Sequence, residues 1–153
     1  MQAHGLTWEA HAIGATYQTA GRTVSETDIV TFVNLCGFIE PIFLDMEYRA
    51  RESMFTRRAA PGALTFALSE GLVIQTGLIH GTGMAYLGGE MRVVAPVLEG
   101  DTIRVEVEVT AKRETRKPDR GIVTYTHRVI NQRGELVLEA KLSRMIRREK
   151  APA

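Results

Sequence analysis

Apolar and polar residues alternate without a break from Ile103 to Lys112. Ile103, Val105, Val107, Val109 and Ala111 fall on one side, and Arg104, Glu106, Glu108, Thr110 and Lys112 on the other. A period of two marks a strand with one wet face. Two further long strands are predicted over Ile122 to Ile130 and Leu136 to Ile146, joined by the hairpin turn Asn131-Gln-Arg-Gly134. Met84 to Val94 reads as another strand, in which Gly88-Gly89 predicts a bulge or a close backbone approach. Thr16 to Thr23 is polar and β-branched, which suits a short edge strand.

Between these strands the period becomes helical. Ser25-Glu-Thr-Asp28 reads as a capping box, Ile29, Phe32, Val33 and Cys36 follow at helical spacing, and Gly37 fits a C-cap. Asp45 to Glu52 predicts a short helix with an acidic first turn. Pro61-Gly62 opens a third helix ending near Gly77, with apolar residues on nearly every side, which predicts burial. A curved antiparallel sheet wrapped round one central buried helix satisfies this pattern, giving an α+β class with a single domain. Residues 1–13 are expected to be an N-terminal extension, with His4 and His11 in a mobile stretch, and residues 149–153 a C-terminal tail.

The 153 residues are enough for one domain with one core, and the 44% hydrophobic fraction is ordinary. A formal net charge of +1 gives no field that favours nucleic acid or an anionic membrane. Cys36 is the sole cysteine and is expected to be a small buried hydrophobe; together with the lack of a signal-like apolar run it predicts a cytoplasmic protein. No run approaches a membrane span. The four histidines and one cysteine have no metal-ligand spacing, so neither a metal nor another cofactor is expected. His80, in a glycine-rich turn just past the central helix, is a candidate for a pocket mouth that no motif supports.

The segment Cys36-Gly-Phe-Ile-Glu-Pro-Ile-Phe-Leu-Asp45 resembles the active-site segment of MaoC-like (R)-specific enoyl-CoA hydratases, which usually reads S-G-D-x-N-P-x-H-x-D. Gly21 to Asp28, Arg58 to Gly62 and Ala95-Pro-Val-Leu-Glu-Gly-Asp101 extend the resemblance over residues 14–148. It implies a hot-dog fold, an acyl-CoA substrate and a homodimer or higher homo-oligomer with the thioester in a tunnel between subunits. The family's catalytic Asp and His positions hold Phe38 and Phe43, and its Asn position holds Glu40. Glu40 is therefore the nearest remaining carboxylate for acid/base work, its pKa expected to rise if it is desolvated between the two phenylalanines; alternatively it is a solvated loop carboxylate or the partner of a nearby arginine.

The resemblance also implies that the thioester carbonyl faces the amino end of the central helix, where Gly62 and Ala63 would supply amide donors. Helix amino termini present such unpaired N–H groups whatever the family. Phe38, Phe43, Ala63, Gly88 and Gly89 are expected to line the substrate site. Glu70 stands at the spacing at which PaaI-type hot-dog thioesterases place an acidic residue; alternatively it pairs with an arginine such as Arg92. Arg57-Arg58 and the loop residues Arg113, Arg116, Lys117 and Arg120 are candidates for coenzyme A phosphates, or simply solvated. Three readings remain open: a hydro-lyase using Glu40, a thioesterase using Glu70, and a non-catalytic acyl-thioester-binding or structural subunit.

Overall fold

A computed structural model describes residues 4–149. The elements are β1 (Thr16–Gln18), β2 (Arg22–Thr23), α1 (Glu26–Cys36), α2 (Pro41–Leu44), α3 (Met46–Glu52), α4 (Gly62–Gln75), β3 (Gly83–Val93), β4 (Thr102–Glu114), β5 (Arg120–Asn131) and β6 (Leu136–Arg147). One antiparallel sheet runs β1-β4-β5-β6-β3, with β2 also paired to β4. Its inner face carries Ile103, Val105, Val107 and Val109 of β4, Tyr125 and Val129 of β5, and Leu138, Ala140, Leu142 and Ile146 of β6, all buried. These side chains form one core with Leu64, Leu72 and Val73 of α4 and Ile29 and Val33 of α1.

Local chemistry sets the boundaries. Ser25 Oγ accepts from the Asp28 amide while Asp28 Oδ2 accepts from the Ser25 amide, so both halves of the capping box are made. Gly37 closes α1 in the left-handed region at φ 72°, a conformation that favours glycine. The bulge expected in β3 lies between Tyr86 and Gly88. Gly89 marks a close approach: a Cβ there would sit 2.7 Å from Leu142 Cα and collide with the Lys141 carbonyl.

Several expectations need correcting. The central helix is not enclosed by its own chain: Ala63, Ala67 and Ile74 are exposed on the side away from the sheet. Cys36 is exposed, because the last turn of α1 runs past the core. Nor does the amino-terminal stretch hang free. The Gly5 amide donates to the His80 carbonyl, Leu6 to Leu78 and Trp8 to Arg147, strapping it across one end of the sheet. His11 is fully buried. Its Nδ1 lies 2.7 Å from the Thr7 carbonyl, which only accepts, so Nδ1–H donates and Nε2 accepts from the Tyr125 hydroxyl at 2.8 Å. Residues 1–3 and 150–153 lie outside the described residues.

Candidate functional site

The segment from Cys36 to Asp45 forms a short surface strap. Phe38 is 39% exposed and packs edge-on against Phe32 of α1, with ring centres 5.4 Å apart. Pro41 starts the single turn of α2, where its missing N–H costs nothing. Phe43 is half-buried against the core. Glu40 is exposed; its amide donates to the Phe38 carbonyl and its carbonyl accepts from the Phe43 amide, while its carboxylate makes no hydrogen bond or ion pair among the described residues. The expected desolvation of Glu40 between Phe38 and Phe43 is thus absent in a single chain, because the strap turns residue 40 outward while Phe43 turns in. The Asp45 carboxylate is engaged, accepting from the Tyr48 amide as the N-cap of α3.

Arg58 fixes this strap. It is 6% exposed, donates to the Phe43 carbonyl and to Glu26 Oε1 (2.8 Å), and lies 3.4 Å from Met46 Sδ. Four residues further on, α4 begins. Pro61 is its N-cap and supplies no side-chain acceptor, so the amides of Gly62 and Ala63 are left without an intrahelical partner. A Cβ on Gly62 would meet Val93 Cγ2 at 2.8 Å, so glycine lets the end of β3 lie against the helix start. Arg58 therefore couples the phenylalanine-bearing strap to the amide-bearing helix end. Arg57 is likewise committed internally, to Asp101 at 3.2 Å and to the Glu99 carbonyl. Buried Arg58 is thus a structural residue, whereas the Arg57 side chain, though paired, stays 41% exposed. In the basic loop Arg120 pairs with Asp119, while Arg113, Arg116 and Lys117 are exposed.

Glu70 lies in a different place. Two turns along α4, it faces the sheet and forms an ion pair with Arg144 of β6. Its Oε1 lies 3.2 Å from Nδ1 of His127 of β5, off the line of a hydrogen bond, and both atoms lack any other partner. Arg92 is paired instead with Glu139. Burial pushes the Glu70 carboxyl up, but the His127 ring and the Arg144 guanidinium outweigh it and hold the group below the ordinary carboxylate range. A low-pKa carboxylate tied to an arginine is a weak base. His127 and Arg144 were not singled out from sequence as its partners, although a signal existed. Each falls in phase with the apolar inner-face residues of its strand: His127 with Tyr125 and Val129, Arg144 with Leu142 and Ile146.

Two regions thus carry chemistry in one chain. At the start of α4 there are amide donors suited to a developing oxyanion, and an exposed carboxylate on the strap. Under the middle of α4 lies a buried Glu–Arg–His cluster. Gly88 and Gly89 belong to neither: they shape the pairing of β3 with β6. His80 does border a cleft, at the far end of α4. Among the described residues no group of three acidic, histidine or cysteine side chains is placed to hold a metal ion, and no helix is long and apolar enough to cross a membrane.

Comparison with known proteins agrees with this architecture. The protein-family model for the MaoC like domain matches residues 9–131. An (R)-specific enoyl-CoA hydratase of Aeromonas caviae is 35% identical over 111 residues, covering 72% of this chain and 78% of that protein. A solved structure described as a monoamine oxidase regulatory protein from Archaeoglobus fulgius superposes with a TM-score of 0.89 at 36% identity, covering 98% of this chain and 99% of that one. A Mycobacterium tuberculosis protein with a double hot-dog fold superposes with a TM-score of 0.83 at 20% identity, covering 97% of this chain and 47% of that one, a likeness of fold alone. With its sheet, its central helix and a family match over most of its length, this chain is a hot-dog protein of the MaoC-like dehydratase family.

Proposed function

We propose that the chain binds an acyl-CoA thioester at the amino end of α4, in a site shared by two copies, and hydrates an enoyl thioester slowly with Glu40 as its acid/base group. The observation that carries this reading is the pair of uncapped amides at Gly62 and Ala63, joined through Arg58 to the strap bearing Phe38, Glu40 and Phe43. In the proposed step Glu40 takes a proton from water as the water oxygen bonds to the β-carbon. The electrons move onto the thioester oxygen, where the two amides stabilise the enolate, and the proton returns to the α-carbon. Phe38 and Phe43 line the acyl path and supply no proton. Absence of a second acid/base group predicts a rate about 10²–10⁴-fold below that of an enzyme with both.

The shared site needs a second copy, and β3 supports one. It is an edge strand of the sheet, and Leu87, Met91 and Val93 along its length, with Val94 just beyond it, are all exposed. Long apolar edges are ordinarily covered. The reading assigns the protein to the cytoplasm, which the free, exposed Cys36 suits.

Incubation with crotonyl-CoA, followed by enoyl absorbance, tests the reaction. Slow loss of absorbance, abolished by Glu40→Gln, is expected, with no thiol released from hexanoyl-CoA. An ordinary hydratase rate that survives Glu40→Gln would show that other residues do the work.

A further inference from the structure

The hairpin end between β4 and β5 carries positive charge that no internal partner neutralises. Arg113, Arg116 and Lys117 are exposed there, with Arg147 of β6 beside them, and none forms an ion pair among the described residues. The carboxylates at this end are mostly committed elsewhere. Glu9 and Glu114 pair with Arg148, Asp119 pairs with Arg120, and Glu149 accepts from the Thr7 hydroxyl.

Within one chain this turn is far from the proposed acyl site. Gly121, just after the turn, pairs with Ile146, and so does Gly83 at the start of β3. Gly62 lies against the other end of β3, where its Cβ would meet Val93. The length of β3, roughly 30 Å, separates the two levels.

A second copy changes that distance. Two identical chains sharing a site are related by a two-fold axis. For both α4 helices to lie on one side of a joint sheet, the axis must stand perpendicular to the sheet, so the two β3 strands pair antiparallel. The start of the partner's β3 then lies beside the end of this one. That brings the partner's basic turn to the end where the Gly62 and Ala63 amides lie. From β3 through the partner's β3 and β6 to its β5 is three strand spacings, about 14 Å. A phosphopantetheine arm has about thirteen bonds from sulfur to phosphorus, roughly the reach of four extended residues, or about 14 Å.

We propose that the basic turn of the partner subunit binds the phosphates of a coenzyme A thioester whose acyl end lies at this chain's α4. The inference rests on the shared acyl site. In that turn Arg113 and Arg116 supply guanidinium forks that match phosphate oxygens, Lys117 adds a point charge, and Arg147 extends the field. Each thioester is thus held by both copies, and a chain's own turn serves the other copy's site.

The test titrates S-butyl-coenzyme A and S-butyl-pantetheine, neither of which can be hydrolysed, into the full chain by calorimetry. The coenzyme A thioether is expected to bind at least about tenfold more tightly, and the advantage should shrink as salt is raised. Arg113→Gln/Arg116→Gln/Lys117→Gln should remove most of that advantage and leave S-butyl-pantetheine binding unchanged. A heterodimer then assigns the turn to its site. One chain carries Glu40→Gln with its turn intact, and the other keeps Glu40 with its turn neutralised. It should regain crotonyl-CoA turnover at low substrate, which neither homodimer shows. Undiminished binding of S-butyl-coenzyme A by the triple variant, equal loss of both ligands, or a heterodimer that needs as much substrate as the neutralised homodimer would each overturn the proposal. If the unaltered chain binds both thioethers alike, the acyl site stands and the phosphate assignment falls; if it binds neither, the acyl site itself fails and the proposal with it.

Discussion

Replacing Glu70 by Gln separates a scaffold role for this residue from a catalytic one. The carboxylate and its arginine are largely out of water, with side-chain exposures of 16% and 9%. Gln removes the negative charge and leaves the Arg144 guanidinium buried without a counter-ion. Breaking a buried pair in this way costs about 3–5 kcal/mol, and the residual exposure of Glu70 argues for about 3 kcal/mol. In a domain of this size that corresponds to a fall in Tm of about 6–12 °C at fixed protein concentration. The loss also has a pH signature. Because the folded carboxyl is held below its ordinary value of 4.5, the folded state binds this proton less readily than the unfolded chain does. Its stabilisation is therefore complete above about pH 4.5 and fades as the pH falls through the lowered folded value. Urea unfolding from pH 7 to pH 3 should show a stability difference that shrinks with acidification, as Glu70→Gln lacks this part of the acid sensitivity. Removing the partner as well, in Glu70→Gln/Arg144→Met, should restore part of the loss. A cost below about 1 kcal/mol, or an acid dependence identical to that of the unaltered chain, would refute the assignment of Glu70 to an internal ion pair. Turnover per folded molecule should be unchanged.

Two further outcomes follow from β3. Gly89→Ala places a Cβ against the Leu142 backbone and should destabilise the fold by about 1–3 kcal/mol in thermal unfolding, whereas a neutral result would mean that β3 and β6 do not approach as described. Leu87→Asp, on the exposed edge, should give a monomer by light scattering and lose crotonyl-CoA turnover; a monomeric unaltered chain that still turns over would dismiss the shared site.

The strands and caps were legible because each rests on a local rule. Alternation in β4, the reciprocal bonds of Ser25 and Asp28 and the left-handed turn at Gly37 involve neighbours in sequence. What escaped depends on distant partners. Glu70 meets an arginine 74 residues away, so its pairing with Arg144 rather than Arg92 follows only from sheet order and register. Arg57 and Arg58 read as free cations until Asp101, Glu99 and Glu26 are folded beside them. The amino-terminal strap has no periodicity, since single residues, Trp8 and His11, anchor it. The apolar circumference of α4 was visible as composition; that one side of it stays bare in a lone chain was not. At the site, the two phenylalanines and the helix-start glycine were legible, and the outward turn of Glu40 was not.

Trp8 is the only tryptophan in the chain. Its ring is wedged against Gly121, donates through Nε1 to the Ile122 carbonyl at 3.1 Å, and has Lys112 Nζ at 4.3 Å and the Arg148 guanidinium at 4.6 Å from its centre. The protein accordingly carries a single tryptophan, whose emission, excited apart from that of the four tyrosines, watches one latch and little else. Its emission colour and quenching report whether the strap is seated on the β5–β6 end of the sheet, while the backbone signal of the sheet reports the fold as a whole. If the two signals part company during denaturation, the latch opens before the domain does, and the chain has a local opening step readable without any added label.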